Sequence, residues 1–132
     1  MKNLKFGTKN NKISLEISLF LDYNIIMKKI VTYKTIDGKC PFDIWFSKLD
    51  KNFQVRIYKR LERLEEGNFG DFKKINSDIS ELRLMFGSGY RIYYTEHENI
   101  IVILLCGGDK STQSKDIEIA KKYLLDLQER SF

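Results

Sequence analysis

The run Gly107-Gly108-Asp109-Lys110-Ser111-Thr112 holds residue types that cradle phosphate: glycines, a lysine and two hydroxyls in succession. It lacks the upstream glycine spacing of a P-loop, so a turn followed by a helix cap is the plainer reading. Arg83 and Arg91 stand in two alternating segments whose pairing puts both on one polar sheet face with Tyr93. On that face the Arg91 guanidinium lies outside the core. Lys73 and Lys74, just ahead of those segments, either track a phosphate backbone or are simply solvated. His97 is the single histidine and falls in the turn Glu96-His97-Glu98-Asn99, away from these cations. That position favours a loop histidine over a general base. Cys40 and Cys106 are far apart with no CxxC partner, so neither a zinc site nor a disulfide framework is indicated. No metal or cofactor is expected.

These side chains need elements to hold them. Lys29 to Thr35 is rich in β-branched residues and predicts a strand, ended by the Asp37-Gly38 turn. Pro41 suits the first turn of a helix, where no N–H is needed. Phe42, Trp45, Phe46 and Leu49 then follow on one helical face. A second helix is predicted over Asn52 to Glu66, with Phe53, Ile57, Leu61 and Leu64 on its apolar face and Gly67 as its stop. Ile79 to Phe86 and Tyr90 to Thr95 both alternate. A two-residue loop between them mixes apolar and polar faces. A three-residue Gly87-Ser88-Gly89 loop pairs Phe86 with Tyr90 and Leu84 with Ile92, and keeps the faces separate.

Ile100 to Cys106 is apolar throughout and predicts a strand covered on both sides. Ser111 or Thr112 is the expected cap of a last helix that buries Ile117, Ala120, Leu124 and Leu127. The order strand, two helices, three strands, helix describes an α+β fold with a mainly antiparallel sheet.

At 132 residues and 42% hydrophobic content the chain has material for one domain with a real core. Its 23 basic against 18 acidic residues give a charge of +5, which fits a protein meeting phosphates and equally a lysine-rich proteome. The longest apolar run is about a third of the ~20 residues a membrane span needs. Ile13 to Ile26 is interrupted by Glu16 and Asp22 and offers no small-residue cleavage site, so the cytoplasm is the expected compartment and no membrane partner is expected. Residues 1–26 differ in character from the rest. They are either an extension ahead of an alternative start at Met27, or an arm with Leu15, Leu19 and Tyr23 on one helical face. The domain proper is taken as 27–132.

From Pro41 to about Leu127 the chain resembles the addiction-module killer proteins, a HigB-like branch of the RelE/ParE toxin superfamily. The resemblance rests on Phe42-Asp43-Ile44-Trp45-Phe46, Arg60-Leu61-Glu62-Arg63-Leu64 with Gly67-Asn68-Phe69-Gly70-Asp71, and Glu81-Leu82-Arg83. It continues in Gly87-Ser88-Gly89-Tyr90-Arg91-Ile92-Tyr93 and Gly107-Gly108-Asp109-Lys110-Ser111-Thr112-Gln113. Each stretch is weak alone, and their order over two-thirds of the chain is what carries the match.

The resemblance implies a microbial-ribonuclease-like fold, a helix-turn-helix antitoxin as partner, and metal-independent cleavage of mRNA on the ribosome. ParE-like relatives instead inhibit DNA gyrase, and an inactive relative would only bind its antitoxin. By the resemblance, Arg91 corresponds to a sheet arginine that meets phosphate, with Arg83 and Lys110 as the accompanying catalytic cations. Lys73, Lys74 and Tyr93 are the candidate RNA-binding residues, the tyrosine by stacking on a base, although an aromatic on a strand more often packs in a core. The chain departs from the pattern between Asp109 and Asp116. Neither the catalytic tyrosine of RelE-like nucleases nor the Asp-Tyr-His cluster of some HigB proteins is found there, so the resemblance names no base or acid.

Overall fold

The structure is a computed structural model that describes residues 27–130; the proposed extension 1–26 lies outside the described residues. Its elements are β1 (Lys29–Thr32), α1 (Pro41–Ser47), α2 (Lys51–Glu65), β2 (Phe72–Lys74), β3 (Ser80–Arg83), β4 (Arg91–His97) and β5 (Ile101–Gly108). A 3-10 turn (Lys110–Thr112) then leads into α3 (Gln113–Arg130). The sheet order is β1-β5-β4-β3-β2. Only the β1–β5 pair is parallel; the other three are antiparallel. The fold is α+β with a mainly antiparallel sheet, as the pattern of elements implies. No helix among the described residues is long and apolar enough to cross a membrane.

Period-two alternation divides the sheet between two cores. Leu82, Leu84, Ile92, Tyr94, Val102 and Leu104 face α1 and α2, where Phe42, Ile57 and Leu64 meet them. Ile79, Tyr93, Ile103, Leu105 and Cys106 face α3, against Ala120 and Leu124. β5 contributes to both sides, which is why its sequence is apolar at nearly every position. Helix ends follow local chemistry. Pro41 occupies the first turn of α1. At the end of α2, Gly67 adopts φ 86° while its N–H reaches Leu64 O at 2.9 Å and the Asn68 N–H reaches Arg63 O at 2.9 Å. That double closure needs a left-handed residue, and glycine takes it without steric cost.

Four details differ from the sequence expectation. β2 was not anticipated, because three exposed residues at a sheet edge leave no periodic signal. β1 stops at Thr32, although the Tyr33 N–H still bonds Leu104 O at 2.9 Å, because the chain then closes a tight turn at Thr35–Lys39. The β3–β4 register pairs Leu82 with Ile92 and Arg83 with Arg91, two residues away from the predicted pairing. An even slip preserves the faces, and residues 84–90 form a longer loop in which Phe86 leaves the strand to pack on Phe53 and Tyr90. Lastly, the cap before α3 is Asp109 rather than Ser111 or Thr112. Its carboxylate accepts the Ser111 N–H at 2.9 Å, and its own N–H donates to Thr112 Oγ1 at 3.2 Å.

Candidate functional site

Strand pairing sets Arg83 and Arg91 directly opposite each other, on the sheet face that α3 covers further along. Two like charges in that position repel. Glu81, two residues before Arg83 and therefore on the same face, lies between them. Its Oε2 is 3.6 Å from Arg83 Nε and 3.8 Å from Arg91 Nη1. Its Oε1 accepts a hydrogen bond from Gln113 Nε2, at the first residue of α3, at 2.7 Å. Glu81 is fully buried, and the Arg91 side chain is only 12% exposed against 38% for Arg83. A carboxylate withdrawn from water is tolerated here because two cations and an amide surround it.

Lys110 reaches the same place from another direction. The loop 84–90 is tied to the turn after β5 by Lys110 N–H to Ser88 O at 3.4 Å and by Ser88 Oγ to Asp109 Oδ2 at 3.0 Å. Gly89, at φ 77°, keeps the two segments close, since a Cβ there would lie 3.3 Å from Lys110 Cβ. Hydrogen bonds from Ser111 hold the Asp109 carboxyl below its ordinary range, with Ser88 and the turn backbone adding to the effect. The result is a cleft of about 450 Å3. Arg83, Arg91 and Lys110 line it with Asp71, Phe86 and the highly exposed Met85. Asp71 stands 4.0 Å from Arg83 Nη1. Three cations against two carboxylates, Asp71 in the lining and Glu81 buried behind the arginines, leave a net positive charge and make a receptacle for an oxyanion such as a phosphodiester.

The other candidates fall elsewhere. Lys73 and Lys74 are part of β2 rather than ahead of the strands. Lys73 pairs with Glu81 and so shares the arginine face, whereas Lys74, opposite Ser80, points to the other side. Neither lines the cleft, and both are exposed. The expectation that Tyr93 stacks a base is corrected: its ring is fully buried in the α3-side core. Its face is polar only near Arg83 and Arg91; beyond them α3 covers it. Burial pushes the Tyr93 hydroxyl far up from its ordinary pKa, with Glu81 and then Asp116 adding to the effect. His97 ends β4, roughly 20 Å from Arg91 at about 3.3 Å per strand residue.

Sequence reasoning assigned no role to Glu81, Gln113, Asp116 or Arg60. Asp116 accepts a hydrogen bond from the Thr112 hydroxyl in the space that Gly108 leaves by having no side chain. Burial raises its pKa. The Arg60 guanidinium, on α2, donates to Arg83 O at 2.8 Å, Phe69 O at 3.0 Å and Asp71 O at 2.9 Å, and so fixes the backbone under the cleft.

The structure matches that of an Escherichia coli toxin RelE mutant in the free state with a TM-score of 0.54 at 17% identity, covering 73% of this chain and 97% of the other. Residues 44–124 match the family described as Phage derived protein Gp49-like (DUF891), and the chain belongs to that family. A Haemophilus influenzae protein of uncharacterized function is 55% identical over 88 residues, covering 65% of this chain and 88% of the relative.

Proposed function

We propose that the protein is the toxin of a type II toxin–antitoxin pair, of the HigB-like kind, and that it cuts mRNA on the ribosome. One observation carries the reading: Arg83, Arg91 and Lys110, from three separate segments, line a single cleft in a chain of the Gp49-like family with the RelE fold. In that cleft a phosphodiester meets the guanidinium forks of the two arginines and the Lys110 ammonium. The neighbouring 2′-hydroxyl attacks the phosphorus as its proton passes to water, the P–O5′ bond breaks with the 5′ oxygen taking a proton from water, a 2′,3′-cyclic phosphate is left, and the cations stabilise the charge that grows on the phosphorane. Catalysis is then mainly positioning and charge stabilisation. The partner that neutralises the toxin is a helix-turn-helix antitoxin whose acidic segment covers the cleft.

Induction of the protein in cells lacking the antitoxin, followed by primer extension on a reporter mRNA, tests this reading. Growth arrest with new 5′ ends inside the translated region supports it. Chromosomal breaks with intact mRNA would identify a gyrase inhibitor instead, and unimpaired growth would identify an inactive relative.

A further inference from the structure

We infer that Glu81 is a positioning residue of this cleft: its buried carboxylate holds Arg83 and Arg91 side by side so that both forks meet one phosphate. The inference rests on the function proposed above and extends it to a residue that does not itself line the cleft.

The geometry of the pair is the starting point. Arg83 and Arg91 are direct cross-strand partners, and neighbouring strands bring such partners to within about 5.5 Å at Cα. Left alone, the two guanidiniums would swing apart. A single oxygen, Glu81 Oε2, faces both of them at 3.6 and 3.8 Å. Both separations are ion-pair distances, longer than a hydrogen bond, and Oε2 has no hydrogen-bond partner among the described residues. The carboxylate therefore steers the two side chains without saturating their donors. Arg91 Nε is likewise buried without a hydrogen-bond partner.

The steering group is itself fixed. Gln113 Nε2 holds the other oxygen at 2.7 Å, and Glu81 is fully buried between β4 and the start of α3. Gln113 follows the turn that carries Lys110, so the backbone joins the third cation to the Gln113–Glu81 hydrogen bond behind the two arginines. A group that only relieved charge repulsion could sit anywhere nearby. This one is set in register by strand pairing and clamped by the helix that follows the third cation.

The experiment is single-turnover cleavage of mRNA on purified ribosomes by wild type, Glu81→Gln, Gln113→Ala, Arg91→Lys and the Glu81→Gln/Arg91→Lys double variant. In Glu81→Gln an amide nitrogen can turn toward the guanidiniums and releases them. The maximal rate is expected to fall by about 100-fold, the scale of a 1 Å misplacement, with little change in half-saturating concentration. In the Arg91→Lys background the same change is expected to cost clearly less than in wild type, so that the double variant loses less than the product of the two single losses, because part of what Glu81 positions is already gone there. Gln113→Ala, which leaves the charges in place, is expected to give a smaller loss in the same direction, and it stands in if Glu81→Gln does not fold.

Losses that add fully in the double variant, or a Gln113→Ala protein at the wild-type rate, would overturn the inference. A second readout is independent of cleavage. The Nε–Hε signals of Arg83 and Arg91 in NMR spectra should show faster side-chain rotation in Glu81→Gln or Gln113→Ala than in wild type, and unchanged signals would also overturn it. If wild type cuts no RNA, the proposed function falls, while the NMR comparison still decides whether Glu81 holds the arginines.

Discussion

Replacing Arg60 by methionine keeps the apolar stem on α2 and removes three donors at once. The acceptors are the carbonyls of Arg83, Phe69 and Asp71. The bond to Asp71 is exposed, so water replaces it at almost no cost. The other two are partly buried, and each acceptor left unsatisfied costs about 1–3 kcal/mol, toward the low end where water has some access. Against this stands the desolvation that Arg60 bears in the fold, which, together with Arg63, lowers its pKa. The net expectation is a loss of about 2–3 kcal/mol. For a domain of this size that corresponds to roughly 7–14 °C in melting temperature. Arg60→Lys should recover less than half of it, since one ammonium cannot span three carbonyls on two segments. Thermal melts followed by circular dichroism measure the effect. An Arg60→Met protein melting within about 3 °C of wild type would mean that Arg60 does not clamp the cleft's backbone.

Gly107→Ala should cost about 1–3 kcal/mol by overpacking, because a Cβ there would lie 2.3 Å from the Trp45 ring; a melt at the wild-type temperature would refute the close approach. Tyr93→Phe removes a buried hydroxyl that has no hydrogen-bond partner among the described residues, so stability should hold or rise and cleavage should be unchanged; a loss of cleavage would return Tyr93 to the site. Asp116 gives a pH dependence. Burial raises its folded pKa above 3.8, so the fold binds this proton more tightly than the unfolded chain, and stability falls as pH rises from 3.8 through the raised value. Asp116→Asn should therefore melt above wild type near neutral pH, with the gap closing below 3.8, whereas a gap independent of pH would contradict the assignment.

What the sequence made legible follows from periodicity. The two faces of β3 and β4 could be read because alternation survives a two-residue register error, and Gly67 announced the end of α2 because only a left-handed residue closes that helix. Arg83, Arg91 and Lys110 were recognisable from short stretches, and the fold lines all three along one cleft. The network behind them was hidden. Glu81 looks like an exposed partner of Arg83 until α3 is known to cover it, and Arg60 looks like one more solvated charge on a helix. Burial of a polar side chain depends on which element crosses it, and no local pattern encodes that. The same reason misplaces Tyr93, whose alternation gives its face but not the helix that covers it.

That burial also decides how the central claim is tested. Arg91 is largely buried against Glu81, so an alanine would leave a buried carboxylate short of a partner and confuse folding with function. Arg91→Lys keeps a charge beside Glu81 and removes only the fork that meets two phosphate oxygens. The decisive measurement is the rate at which Arg91→Lys cleaves a reporter mRNA on the ribosome, at a temperature where melts show it folded. The account predicts at least about a tenfold loss, within the 100- to 1,000-fold scale of removing a transition-state donor outright, together with relief of growth arrest. A folded Arg91→Lys protein that cuts at the wild-type rate would contradict it.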